Sequence, residues 1–215
     1  MDRAYHRALD VIRCEAYAGV QMPRNNPLTP AAQRNQVRII GGSWRGRKLH
    51  FPNVPGLRPT PDRVRETLFN WLQFEIPGRR CLDLYAGSGA LGLEALSRGA
   101  SEVVFVETDP DAARAVATTL QLLQCNRGRV ARLDAEAFLA QPAEPFDIIF
   151  LDPPFALRVL PKLCEAIERG GWLTPGGWVY LEGAAAEGPP SLPDGWTMLR
   201  SKKAGEVGYH LARRP

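Results

Sequence analysis

Long hydrophobic runs are missing from this chain: no stretch approaches the ~18 uninterrupted apolar residues a membrane helix needs. The opening residues, MDRAYHRALDVIRCEAY, scatter charge throughout and contain no apolar segment, which argues against a secretory leader. Cysteine is scarce, with four in 215 residues, and Cys14, Cys81, Cys125 and Cys164 never approach C-x-x-C spacing. The three histidines are equally dispersed. These absences argue against a zinc site, a disulfide framework and a membrane partner. They lead to the expectation of a metal-free protein in a reducing cytoplasm.

What is present is an ordinary apolar fraction of 45% with 23% charged residues, enough for one well-buried domain. The net charge of +4 is modest, but it is unevenly placed. Between Arg34 and Glu66 eight basic residues face two acids, a local +6, so the remainder sums to −2. A basic segment on a near-neutral body is the pattern of a polyanion contact confined to one region.

Residues 1–36 read as a disordered lead-in. MPRNNPLTPAAQRNQ (22–36) carries three prolines and has no hydrophobic period, and a translation start later than residue 1 is expected. From Val37, VRII and SWRGRKLHF read as two short strands about a Gly41-Gly42 turn. RPTPDRVRETLFNWL reads as a helix with Thr60 as N-cap and Pro61 at its first position, with Val64, Leu68, Trp71 and Leu72 as its buried stripe. Together, 37–76 form an expected basic hairpin and helix that carries the local positive charge.

Beyond Pro77-Gly78, strands and helices alternate. Strands are expected at 81–86, 102–107, 129–133, 147–152 and 178–182. Helices are expected at 89–98, 110–124 and 135–140, with a further helix carrying Leu157, Leu160, Leu163, Cys164 and Ile167. WTMLRSKKAGEVGYHLARR closes the chain as two strands about a Lys-Lys-Ala-Gly turn. Apolar strands alternating with helices imply a mostly parallel sheet covered on both faces. The expected fold is a doubly wound α/β domain over 77–215, with seven strands and an antiparallel C-terminal hairpin.

CLDLYAGSGALG sets Gly87, Gly89 and Gly92 between the first alternating strand and its helix, a G-x-G-x-x-G run in the context that gives it meaning. Glycines there let the backbone turn tightly and approach a ligand at the helix N-terminus. Glu107 ends the next strand, twenty residues after Gly87, where a carboxylate can accept both ribose hydroxyls. Asp83, inside the strand end, would repel a pyrophosphate but suits a cation such as the α-ammonium of S-adenosylmethionine. Asp134 stands where it can accept from an adenine amino group or merely cap a helix. Tyr85, Ala86 and Ser88 complete the expected cofactor loop.

FDIIFLDPPF then delivers Asp152, Pro153, Pro154 and Phe155 to the same carboxyl edge, where open α/β sheets bind ligands. An exocyclic base amine is a poor nucleophile, because its lone pair is delocalised into the ring. Acceptors aimed at its two N–H groups favour the pyramidal geometry and offset the developing charge. Asp152 can supply one acceptor and the Pro153 carbonyl, stiffened by the following proline, the other. Phe155 can stack on the base.

RIIGGSWRGRKL, GLRPTPDRVRETLFNWL, CLDLYAGSGALGLEALSRGA and FDIIFLDPPF together resemble the bacterial 16S ribosomal RNA guanine-N2 methyltransferase family (RsmD), over about 37 to 212. The resemblance implies a Rossmann-like class I methyltransferase fold, S-adenosylmethionine as donor and small-subunit ribosomal RNA, free or in the subunit, as acceptor. It places the family's cofactor positions on Asp83, Gly87, Gly89, Glu107 and Asp134, and its base-holding motif on Asp152 to Phe155. The lead-in is longer than the family needs.

Candidate RNA contacts are Arg38, Arg45, Arg47, Lys48, Arg58, Arg63 and Arg65 through phosphates, Trp44 by stacking or by packing on its own domain, and Thr60 near the site. A monomer is expected. Three other readings stay open. Nothing in Asp152–Phe155 selects the base, so adenine-N6 or cytosine-N4 methylation of DNA or RNA is possible. A glycine fingerprint could serve an NAD(P)-dependent oxidoreductase, and the fold could act as a non-catalytic RNA-binding module.

Overall fold

The computed structural model describes residues 11–12, 35–54, 57 and 59–215. Arg58 and most of the expected lead-in lie outside the described residues. Within the lead-in, Val11–Ile12 (β1) pair antiparallel with Val130 and Ala131, so these two residues extend the sheet.

The basic segment forms β2 (Gln36–Arg38), β3 (Lys48–His50) and helix α1 (Asp62–Trp71). β2 and β3 pair antiparallel, but Gly41-Gly42 is not a two-residue turn between them. The connection spans 39–47, closes through Gly46 N–H to the Ile39 carbonyl (2.8 Å), and includes a short 3-10 turn at Gly42–Trp44. α1 starts one residue later than expected, with Pro61 at the cap position. Thr60 is therefore released from capping.

The alternating region gives β4 (Arg80–Asp83), α2 (Ala90–Ser97), β5 (Glu102–Val106), α3 (Pro110–Leu122), β6 (Gly128–Ala131), α4 (Ala135–Leu139), β7 (Phe146–Leu151), α5 (Leu160–Gly170) and β8 (Leu173–Ala184). β9 (Thr197–Ala204) and β10 (Val207–Arg213) close the chain, their turn falling on Gly205-Glu206 because Lys202 and Lys203 stay in the strand. The sheet order is β1-β6-β5-β4-β7-β8-β10-β9. The seven expected strands are present, five parallel and two antiparallel, and β1 adds an eighth at the edge.

Strand alternation divides the core into two layers. Cys81, Val103, Phe105, Ile148, Phe150, Tyr180 and Tyr209 point to the face covered by α1, α2 and α3. Leu82, Val104, Ile149, Leu151, Val179 and Leu181 point to the face covered by α4 and α5. α2 is buried around its whole circumference, so the hairpin and α1 cover a surface that would otherwise expose Leu91 and Leu96.

That covering is held by one acid. Glu94, fully buried in α2, accepts Ile40 N–H and Gly41 N–H (both 2.8 Å) and the Arg98 guanidinium (2.7 Å). Arg65 lies 3.7 Å from its other side. Ser97 adds a hydroxyl to the Gly41 carbonyl and receives Trp44 N–H.

Candidate functional site

Strand register explains why the acids meet. Phe105, Asp83, Phe150 and Tyr180 form one cross-strand row on the same face of β5, β4, β7 and β8. Two residues further along three of these strands come Glu107, Asp152 and Glu182, again on that face. Four carboxyl groups from four adjacent strands thus gather at the carboxyl edge of the sheet.

The loop after β4 turns through Gly87 (φ +51°) and Gly89 (φ +74°), left-handed conformations that favour glycine. Its ends are tied to the acids. Gly87 N–H donates to Glu107 Oε2 (2.7 Å), and Asp109 N–H to Oε1 (2.8 Å), which fixes that carboxylate across the mouth of the loop. Gly92 N–H donates to Asp83 Oδ2 (2.9 Å), so Asp83 also braces the start of α2. Gly92 serves contact rather than turning: a Cβ there would lie 2.2 Å from the Phe105 ring. Tyr85 and Ser88 are half-buried and Ala86 buried beside these groups. Asp134 is exposed and accepts Ala137 N–H (2.7 Å), so it does cap α4, which leaves its second oxygen available.

Asp152 is half-buried, and its Oδ2 accepts the Thr60 hydroxyl at 3.0 Å across a separation of 92 residues. Pro153 is buried, Pro154 exposed, and Phe155 half-exposed at the start of a short 3-10 turn. Burial pushes Asp152 up to about 6, opposed by the Thr60 hydrogen bond. Burial also raises Asp83 to about 7, with the charges of Asp152 and Glu107 adding to it against the Gly92 N–H. Glu182 is raised to about 8, by burial and then by the Asp152 charge. None of these three is in an ion pair with Lys or Arg among the described residues, and the charges that raise Asp83 and Glu182 are those of neighbouring carboxylates.

An acid row without its own countercharge suits a ligand that brings positive charge, and it opposes a pyrophosphate. The residues present therefore fit a sulfonium- and ammonium-bearing donor better than a dinucleotide. Among the described residues no group of three or more His, Cys, Asp or Glu could hold a metal ion. No helix among them is long and apolar enough to cross a membrane.

The expected RNA contacts divide. Arg38, Arg45, Arg47, Lys48 and Arg63 are exposed. Arg47 and Lys48 line an open groove of about 600 Å³ between β3 and α3, together with His50 and Arg114; none of its lining residues belongs to the acid row. Trp44 is half-buried and packs on the core of its own domain. Two expectations are corrected. Arg65 is 0% exposed and cannot reach a phosphate; it donates to the Thr60 carbonyl, the Arg38 carbonyl and Asp62, and faces Glu94. Thr60 is 5% exposed, and its hydroxyl is committed to Asp152 rather than to RNA.

Sequence reasoning passed over Glu94 and Glu182. The signal for Glu94 was one acid in a helix otherwise built of Ala, Leu, Gly and Ser. For Glu182 it was an acid ending the apolar run WVYL, the same arrangement that drew notice at Asp83 and Asp152.

Comparison with known proteins adds four findings. The family model described as conserved hypothetical protein 95 matches residues 37–213. The ribosomal RNA small subunit methyltransferase D of Escherichia coli (strain K12) is 48% identical over 179 residues, covering 83% of this chain and 90% of that protein. The protein of the same name from Haemophilus influenzae is 44% identical over 187 residues, covering 85% and 96%. A solved structure described as a putative methyltransferase from Escherichia coli superposes with a TM-score of 0.78 at 45% identity, covering 83% of this chain and 98% of that one.

Proposed function

The chain belongs to the ribosomal RNA small subunit methyltransferase D family, and from that premise we propose that it methylates the exocyclic N2 amine of a guanine in small-subunit ribosomal RNA. The donor is S-adenosylmethionine, which supplies an electrophilic methyl group on a sulfonium. The observation that carries this reading is the placement of Asp152 in one row with Glu107, one strand away from the glycine loop.

Each residue then has a role set by its position. Glu107, fixed by two backbone N–H groups, accepts the ribose hydroxyls of the donor. Asp83 offers its charge to the donor's ammonium, and Asp134 its second oxygen to the adenine amine. Gly87 and Gly89, with Tyr85, Ala86 and Ser88, shape the loop against the donor. Asp152 and the Pro153 carbonyl each accept one N–H of the target amine, and Phe155 stacks on the base. Pro154 keeps that carbonyl fixed. The donor would supply the methyl carbon and keep the carbon–sulfur electron pair on sulfur as the nitrogen–carbon bond forms, and Asp152 would be placed to accept the one proton the amine gives up. Most of the acceleration comes from positioning.

Residues 37–76 form the RNA-facing unit and 77–215 the donor-binding domain in this reading. Arg38, Arg45, Arg47, Lys48 and Arg63 contact phosphates, which contributes affinity without sequence information. The protein works as a cytoplasmic monomer on RNA alone or in the small subunit.

The test is methyl transfer from labelled donor to ribosomal RNA or small subunits that lack the modification, followed by identification of the modified nucleoside. N2-methylguanine is expected. N6-methyladenine or N4-methylcytosine would move the acceptor to a different base. Asp152→Ala should lower the rate by at least 100-fold while S-adenosylhomocysteine still binds.

A further inference from the structure

Glu182 stands one residue beyond the Leu151–Leu181 pairing of β7 and β8, as Asp152 does, so the two carboxyl groups are neighbours on one face of the sheet. It is 3% exposed. Beneath it Tyr180, fully buried, donates its phenol to Glu182 Oε2 at 2.7 Å. From β10, Tyr209 pairs with Glu182 in register and stacks on Trp71, with Lys202 over the far ring. On the other side lie Asp152 and, one strand beyond, Asp83.

Two ionised carboxylates side by side in such a setting repel at close range in a medium that screens poorly. The pair relieves this by holding one proton. Glu182 is the more deeply enclosed member, and its Oε2 is already occupied as an acceptor, so Oε1 is free to carry that proton. Asp152 has Oδ2 occupied by Thr60 and Oδ1 unassigned.

We propose that Glu182 is a positioning residue that keeps the pair's shared proton and hydrogen-bonds through it to Asp152, so that a single, oriented negative charge on Asp152 meets the target amine. The inference rests on the methyltransferase reading for its consequence but not for its first observable, the titration of the two groups. Burial and the Asp152 charge raising Glu182 to about 8 agree with this division. The same arrangement explains why an acid is tolerated at the end of β8 when no cation accompanies it.

The experiment has two arms. In the donor-free protein, carboxyl titration is followed by infrared spectroscopy or carbon-13 NMR from pH 5 to 9. Glu182→Gln should remove the highest carboxyl step, and Asp152→Asn should lower that step by relieving the repulsion. Tyr180→Phe should raise it further, because the phenol favours the ionised form. In the second arm, single-turnover methyl transfer is measured over the same range. The wild-type rate should fall near pH 8 as Glu182 ionises.

Glu182→Gln, whose amide can still donate to Asp152, should keep the rate at pH 7 within about threefold and lose the alkaline fall. Glu182→Ala should lower the saturating rate by roughly tenfold with little change in apparent affinity for RNA. Binding of S-adenosylhomocysteine serves as the folding control. Persistence of the highest carboxyl step in Glu182→Gln, or of the alkaline fall, overturns the proposal. So does a Glu182→Gln rate as low as that of Glu182→Ala. Absence of methyl transfer in every variant, with the titration behaving as described, would instead sink the reaction assigned above and leave the carboxyl pair standing.

Discussion

Thr60→Val tests whether the hairpin-and-helix segment helps set the reactivity of Asp152. The substitution keeps the shape of the side chain and deletes the hydroxyl that donates to Asp152 Oδ2 at 3.0 Å. A hydrogen bond to an ionised group contributes about 1.5–3 kcal/mol. At 1.36 kcal/mol per tenfold change, full loss would raise the Asp152 ionisation by about one to two pH units. Some of that is recovered if water reaches the half-buried carboxylate, so a rise of about one unit is expected. Its present position near 6 already includes the lowering effect of Thr60. Single-turnover methyl transfer from pH 5 to 9 reads the effect directly. The acid limb should move up by about one unit, giving several-fold loss at pH 6 and little at pH 8. Thr60→Ser should restore the wild-type curve. An acid limb that stays in place in Thr60→Val would refute the argument that this contact governs the charge on Asp152.

Five further outcomes follow from the same geometry. Asp83, Asp152 and Glu182 hold protons more tightly folded than unfolded, so the protein without donor should lose stability as pH rises from about 4 to 8; a thermal midpoint that rises over this window would contradict it. Asp83→Asn should raise the thermal midpoint at pH 8 in the absence of donor and weaken donor binding, as calorimetry with S-adenosylmethionine would show. Gly92→Ala should cost about 1–3 kcal/mol in chemical denaturation, because its methyl group meets Phe105, and Phe105→Leu in the same chain should return part of the loss. Arg65→Met should destabilise by about 3–5 kcal/mol, since Glu94 loses a buried partner, while neutralising Arg45, Arg47 and Lys48 together should leave stability unchanged and flatten the salt dependence of RNA binding, by about 0.7 per lost phosphate contact.

The order of strands and helices from Arg80 onward was legible because parallel strands buried on both faces read as continuous apolar runs, and Gly or Pro marks each end. Asp152 and Glu107 were legible for a related reason, being acids at the exits of such runs. What one-dimensional reading could not supply was partnership across long separations. Arg65 looked like one more surface cation in a basic segment, but its helical position turns it inward to Glu94. Thr60 matched the pattern of a helix cap, yet the helix begins one residue later and the hydroxyl is spent on a group 92 residues away. Glu182 went unnoticed because its meaning comes from the register of β8 against β7, which no local pattern encodes.

The clasp of Glu94 on the backbone of the hairpin connection fixes how this protein can move. β2 and β3 have no separate core; Val37, Ile39 and Leu49 are part of the same layer as α2 and β5. The hairpin therefore cannot swing like a hinged jaw, and it stays seated on α2 and β5. In the proposed reaction it is then the RNA, not the hairpin, that must move to bring its base to Asp152.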